Sequence, residues 1–447
     1  MPVDLVLYNG KICINDTFIT AGLAVEEGKI IKIAKKTNLP SAVATIDAKE
    51  CFILPGLIDV HTHLRDQGQS YEEDFFTGTS AAAVGGITLC LDMPNNEPVT
   101  MDSRSLKERM HAAANKLVVN VVFYSAFPEE LAEISRVAKD GAVAFKLFLT
   151  KQIGGVDIED DKALEDAFLQ AKQSAVPVVV HAEDKNTLEN TSGQLKRTNQ
   201  NNIEAYLKAH SPEVEEKAVK RIVKIIEKIK THVHFCHISS KKGLDAVLEG
   251  KKAGLPLSCE VTPHHLLLSS DHLKRYGTIA LSDPPVRNDK NREALWNALH
   301  QGLIDIIASD HAPHLLEEKK KEIVWEVKPG FPGLETVLPL LLTQINEGRI
   351  RISDLIRLMA EKPAEIFCLN GRGRLAKGYA ADITVVDIRR EHVIDASKFY
   401  SKAKYSPFDG WKARGKPMKT FVNGCLVMED GEIIAKPGIG QIVGGQR

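Results

Sequence analysis

A repeated alternation across the middle of the chain narrows the fold more than any other feature. Eight apolar segments of strand character recur there: FILPGLIDV, GITLCLDM, LVVNVVFYSAF, AVAFKLFL, VPVVVHA, HVHFCHI, LPLSCEVT and LIDIIASD. Helical stretches separate most of them, at residues 71–84, 103–114, 129–139, 160–173 and 289–299. The longest, 211–230, opens with Ser-Pro and sets Val214, Ala218, Ile222, Ile225 and Ile226 on one face. Two further helices, 333–346 and 353–361, follow the eighth segment. Eight strands with intervening helices predict an α/β fold, a (β/α)8 TIM barrel over residues 53–370. An open, doubly wound sheet accommodates the same alternation.

The two ends of the chain have another texture. Residues 1–52 read as short strands, with a hairpin signal at Asn9-Gly10 and a turn near Glu27-Gly28. Residues 371–447 repeat the pattern, with turn signals at Asn423-Gly424 and Asp430-Gly431. Neither end alone has enough strands for a stable sheet. The two are therefore expected to build one composite β-sandwich domain beside the barrel.

Composition excludes several classes of function. With a formal net charge of -1 over 447 residues, there is no electrostatic case for binding nucleic acid or an anionic membrane. No apolar run reaches transmembrane length, and the opening MPVDLVLYNG lacks a basic, cleavable leader. The seven cysteines are odd in number, scattered and free of Cys-x-x-Cys pairs, which points to reduced thiols and a cytoplasmic setting. Cys90, Cys236 and Cys259 lie in apolar runs and read as small core residues.

The chemistry-bearing residues fall at the carboxyl ends of the predicted strands, where barrel active sites gather. The first ends in His61-Thr62-His63. Side chains alternate along a strand, so both histidines point the same way, about 7 Å apart along the backbone. Such a pair is half of a metal site, though two ordinary hydrogen-bonded histidines satisfy the motif in isolation. The fourth strand holds Lys146 among apolar neighbours, the fifth ends in His181, the sixth in His237 and the eighth in Asp310. A lysine inside a barrel strand is costly unless it is paired or loses its charge. Reaction of the neutral amine with carbon dioxide gives a carbamate, whose two oxygens can bridge two cations. Lys151 reads instead as an exposed lysine. His264 and His265 follow strand seven and suit supporting roles, while His232 and His234 share strand six with His237. His111, His210, His272, His300 and His392 read as surface histidines, and residues 317–322, EEKKKE, as a solvated lid or helix face.

Taken together, these residues resemble the amidohydrolase superfamily and, within it, the dihydroorotases. The matching stretches are PGLIDVHTHLRDQGQ, TGTSAAAVGGIT, DMPNNEP, CEVTPHHLLLS, DPPVRNDKNREAL, IASDHAPH, PGLETVLPLLL and the tail SPFDGWKARGKPMKTFVNG. The resemblance implies two zinc ions, one held by His61, His63 and Asp310, the other by His181 and His237. Carboxylated Lys146 would bridge them, with a hydroxide between as nucleophile and Asp310 as general base and then acid. Arg65 and Asn95 would bind the substrate's carboxylate, and His314 would contact the substrate. The implied reaction is the reversible cyclisation of N-carbamoyl-L-aspartate to L-dihydroorotate in pyrimidine synthesis. A homo-oligomer and an association with aspartate carbamoyltransferase are both compatible with it. Two positions depart from the pattern. Asp283 stands where the family commonly has asparagine, which leaves it a candidate substrate contact, and the chain reads RDQG where the family often has R-E-P-G. Rival readings are an allantoinase or a dihydropyrimidinase or hydantoinase, a mononuclear deaminase-like relative, and a non-catalytic scaffold.

Overall fold

The computed structural model describes residues 1–14 and 17–444. All eight predicted segments become neighbours in one parallel sheet, in chain order. Its strands are Leu57–Thr62, Ile87–Asp92, Asn120–Ala126, Ala142–Phe148, Val178–His181, Val233–Phe235, Leu257–Val261 and Ile306–Ile307. The eighth is only two residues long, and no regular ladder joins it to the first. Hydrogen bonds beyond it close the ring: His63 N–H donates to the His311 carbonyl at 2.8 Å, and His311 N–H to the His61 carbonyl at 3.2 Å. Asp59, buried in the first strand, accepts the N–H of Ser309. The alternation therefore resolves as a near-closed barrel, not an open sheet.

The barrel interior is packed by Ile58, Val60, Leu89, Leu91, Val122, Tyr124, Val143 and Val179. Phe367 and Leu369, which follow the last helix, belong to the same cluster. Inward positions at the opposite end of the strands are left to the polar residues. The long helix runs Pro212–Ile229 and turns its predicted apolar face inward. It also buries Glu215, whose carboxylate accepts the N–H groups of Ser239 and Ser240 and so fixes the turn after His237. Helices Lys185–Arg197, Ile203–Ala209 and Lys241–Lys252 were not named from the sequence; the last buries Leu244, Ala246 and Val247.

The ends build one nine-stranded, mostly antiparallel sheet. The expected single strand FILPGLIDV is two strands. Phe52–Pro55 pairs with Ile383–Val386 and joins the two ends of the chain, whereas Leu57–Thr62 enters the barrel. Gly56 lies at the break because a Cβ there would stand 2.2 Å from Thr88 Oγ1 and 2.7 Å from the Asp382 Cβ. Asn9-Gly10 is not a hairpin turn. It is a kink within strand Val3–Ile14, which pairs with Ala42–Asp47 on one side of the kink and with Phe52–Ile53 on the other. A Cβ on Gly10 would collide with Ile53, so the glycine admits the second neighbour. The antiparallel partner of that strand is Thr17–Glu26, so the connection between them lies outside the described residues. Glu27-Gly28, Asn423-Gly424 and Asp430-Gly431 all take left-handed conformations between paired strands, as expected. Among the described residues, no helix is long and apolar enough to cross a membrane.

Candidate active site

A cavity of about 200 Å³ opens at the carboxyl ends of the strands. His61, His63, Arg65, Asn95, His181, His237, Asp283, Asp310 and His314 all line it. Lys146 lies just beneath, fully buried.

The first cradle is compact. His61 Nε2 is 3.2 Å and His63 Nε2 3.6 Å from the same Asp310 oxygen. Strand parity does this work, with the two imidazole rings 5.4 Å apart on one side of the first strand. Burial favours the neutral carboxyl of Asp310, but His61, His63 and His237 outweigh it and hold its pKa well below the usual range. Burial likewise opposes charge on His61, yet Asp310 and Glu260 keep its pKa up at about 10. On His63 burial prevails, and the pKa falls to about 3.

The second cradle faces the first. His181 Nδ1 and His237 Nε2 are 3.0 Å apart, and the His237 ring is 5.2 Å from that of His61. Burial, and then His181, push the His237 pKa well below its ordinary value, which leaves a neutral imidazole suited to a metal. Lys146 lies between the cradles in effect, because its charge bears on both His61 and His237. Its Nζ donates to Cys236 Sγ at 2.8 Å and stands 4.7 Å from the centre of the Phe148 ring. No carboxylate comes within ion-pair distance of it among the described residues. A buried ammonium with a thiol and a ring for company is poorly compensated. A carbamate there would face two pairs of histidines and Asp310 across a gap that wants positive charge. The donor set, four imidazoles, one carboxylate and one buried amine, fits two divalent cations of borderline softness.

Behind His61 and His181 stand acids that sequence reading passed over. Glu260, buried in the seventh strand, takes His61 Nδ1 at 2.5 Å and His234 Nε2 at 3.0 Å. It also accepts the backbone N–H of His237 at 3.2 Å. Glu183 faces His181 Nε2 at 3.3 Å. Asn95 orients His63 through a 2.7 Å contact between its Oδ1 and His63 Nδ1, which leaves its amide NH2 for the cavity. These contacts fix which ring nitrogen points at the cradle. Glu183 is one of two adjacent acids in VVVHAED and Glu260 the single acid of CEVTPHH, and an acid within or just beyond a buried strand was the available signal.

The far wall of the cavity is cationic. Arg65 is buried, with Nε 3.1 Å from Glu72 Oε2 and one terminal nitrogen 3.2 Å from His314 Nε2. Glu72 also receives His314 Nδ1 at 3.1 Å, and so orders both groups. Arg65, His237 and Asp310 all have positive φ, at 58°, 31° and 49°. Such conformations are uncommon outside glycine, and they gather here at the cavity.

Two expectations need correction. His210 is buried, not a surface residue: its Nδ1 lies 3.0 Å from Glu183 and 3.2 Å from Asp283. Burial opposes its charge, but the two carboxylates raise its pKa to about 9. Asp283 thus reaches the cavity beside His210, while burial and then Glu183 raise its pKa. Lys319, within the supposedly solvated EEKKKE run, is also fully buried. Its Nζ donates to the carbonyls of Leu281, Lys328 and Gly330. Lys151 is exposed, as expected, and lines the cavity.

A model of the amidohydrolase family matches residues 52–427. The chain belongs to the amidohydrolase family. It is 37% identical over 434 residues to a dihydroorotase of Methanothermobacter thermautotrophicus, covering 96% of this chain and 95% of that protein. To a dihydroorotase of Pyrococcus furiosus it is 36% identical, covering 97% and 94%. An L-hydantoinase of Paenarthrobacter aurescens is 32% identical over 98% of each chain. Among solved structures, the L-hydantoinase (dihydropyrimidinase) from Arthrobacter aurescens superposes with a TM-score of 0.95 at 32% identity, covering 99% of this chain and all of the other. This amidohydrolase is accordingly a cyclic amide hydrolase.

Proposed function

We propose that this amidohydrolase is a zinc-dependent dihydroorotase, opening L-dihydroorotate to N-carbamoyl-L-aspartate and closing it again. The observation that carries the reading is that Arg65 and His314 line the same cavity as the metal cradle. A cyclic amide lying between them presents its scissile carbonyl to the cradle and a ring carboxylate to Arg65. Arg65 is already held in plane by Glu72, so its remaining N–H groups can meet a carboxylate two at a time. The dihydroorotases among its relatives support this choice of substrate.

His61, His63 and Asp310 would hold one zinc ion, His181 and His237 the other, and Lys146, as its carbamate, would bridge them. When bound, the metal pair supplies an acidified water and polarises the amide carbonyl. Asp310 stands against His61 and His63, held ionised, and takes a proton from the attacking water. The carbonyl carbon gains the hydroxyl and loses its ring nitrogen, and Asp310 delivers the proton to that nitrogen as it departs. Cyclisation runs the same transfers backwards and expels water. Asn95 keeps His63 in the tautomer that offers Nε2, and Glu260 does the same for His61.

The test is initial rates on L-dihydroorotate, allantoin, dihydrouracil and hydantoin with zinc-loaded protein and bicarbonate. Dihydroorotate should be turned over, and Arg65→Met should raise its KM about thirty-fold, the loss of roughly 2 kcal/mol of charged hydrogen bonding. Turnover of hydantoin, allantoin or dihydrouracil in place of dihydroorotate would overturn the substrate assignment.

A further inference from the structure

The single-turn helix Leu316–Lys319 ends in a lysine that turns into the protein. Lys319 has no measurable exposure, and no carboxylate lies within ion-pair distance among the described residues. Its ammonium has three N–H bonds and meets three carbonyls: Leu281 at 2.9 Å, Lys328 at 2.9 Å and Gly330 at 2.8 Å. Three donors for three acceptors match the charged form, since a neutral amine has one N–H fewer.

The acceptors belong to two walls of the substrate cavity. Lys328, Pro329 and Gly330 line it directly, and Leu281 opens the stretch that carries Asp283. Gly330 N–H donates to the same Leu281 carbonyl at 2.8 Å, so the walls are stitched together at the ammonium. Between the two anchored carbonyls, the Pro329 carbonyl lies 3.0 Å from His314 Nε2. A carbonyl whose neighbours on both sides are pinned cannot turn away from its contact. Without the cation, three carbonyl dipoles would converge on an apolar pocket, and the wall would have to open to relieve them.

We propose that Lys319 is a positioning residue for substrate binding: by clamping the carbonyls of Lys328 and Gly330 it holds the Pro329 wall against His314, and thereby sets affinity at the carboxylate end without touching substrate. The proposal rests on the reading of Arg65 and His314 as the substrate's carboxylate side. It predicts a separation of effects, because the metal ligands sit on or just beyond barrel strands that Lys319 does not touch.

The experiment compares full-length, zinc-loaded wild type with Lys319→Met, and with Pro329→Gly as a variant that loosens the same wall while keeping the lysine. KM and kcat for L-dihydroorotate, bound metal and the His314 imidazole signals in histidine-labelled protein are read together. Lys319→Met and Pro329→Gly should each raise KM ten-fold or more, keep kcat within about three-fold and two metals per chain, and shift the His314 signals. A KM within two-fold of wild type in either folded variant overturns the proposal. So does a fall in kcat that tracks metal loss, which would mark a general structural role. Should Lys319→Met fail to fold, Pro329→Gly decides alone. Wild type that ignores dihydroorotate overturns the functional reading and this inference with it, before any variant is compared.

Discussion

Two buried acids, Glu260 and Glu183, stand behind His61 and His181 at this site. Glu260 ties His61, His234 and the backbone at His237 to one buried carboxylate. Removing its charge while keeping its shape, as in Glu260→Gln, should weaken metal binding by about ten- to a hundred-fold, the usual effect of an outer-shell partner. Competition with a chromogenic chelator measures this. His210 makes a second prediction, for the metal-free protein. Its pKa is about 9 when folded against 6.5 ordinarily, so its stabilising charge is fully present below pH 6.5 and lost as pH rises through 9. Unfolding free energy should decline over that window by up to roughly 3 kcal/mol, and His210→Gln should flatten the decline in urea titrations. The histidines and Asp310 were legible because each sits at the end of an apolar strand. Most of their partners were not, since Glu72, Glu260 and His210 reach the site from distant parts of the chain, and no local period announces a contact; Glu183 sits only two residues from His181. Lys319 was hidden by its own neighbours, because a run of lysines reads as solvated whichever member turns inward.

Among the elements, the stretch leaving the first strand depends most on support from outside. Leu64 N–H donates to Asp92 Oδ1 at 2.9 Å, and Asp92 Oδ2 takes Nε and a terminal nitrogen of Arg109 at 3.0 and 2.6 Å. The other end of that guanidinium donates to the carbonyls of Arg65 and Asp66. The second barrel strand and helix Ser103–Ala113 thus hold Arg65 in its left-handed conformation from beneath. Arg109→Met leaves Asp92 buried without its partner and should cost about 3–5 kcal/mol of stability. Denaturant midpoints would show it, and a loss under 1 kcal/mol would contradict this reading. Most helices near the site were readable to within a few residues, because their caps are local. The side chains of Asp74, Asp102 and Asp160 each accept a backbone N–H of the first turn. The kink at Asn9-Gly10 was misread for the opposite reason: the glycine answers to Ile53, forty-odd residues away, and not to a turn.

In the whole molecule the barrel and the terminal sheet form a continuous structure. Asp382 is the clasp. It accepts from Asn120 on the third barrel strand, from the Asn423 backbone and from Arg372, while its carbonyl takes the N–H of Gly56. Arg372 and Asp382 precede the strand that begins at Ile383, and Phe367 and Leu369 just before them enter the barrel interior. One short run of chain therefore supplies both the core and the joint, which frees the opposite rim for polar groups. That the ends combine was visible in the sequence, but where the joint lies was not, because FILPGLIDV looks like a single strand until Gly56 is seen wedged against Thr88 and Asp382. The central claim at this scale is that His61, His63, Lys146, His181, His237 and Asp310, from five strand ends, form one two-metal centre bridged by a lysine carbamate. Zinc-loaded protein prepared in 13C-labelled bicarbonate tests it most directly, with metal counted per chain and the carbamate carbon observed by NMR. Two metals per chain with one labelled carbamate signal that vanishes in Lys146→Ala is the predicted result; two metals with no labelled carbamate, or a single metal in protein with all six groups intact, would contradict it.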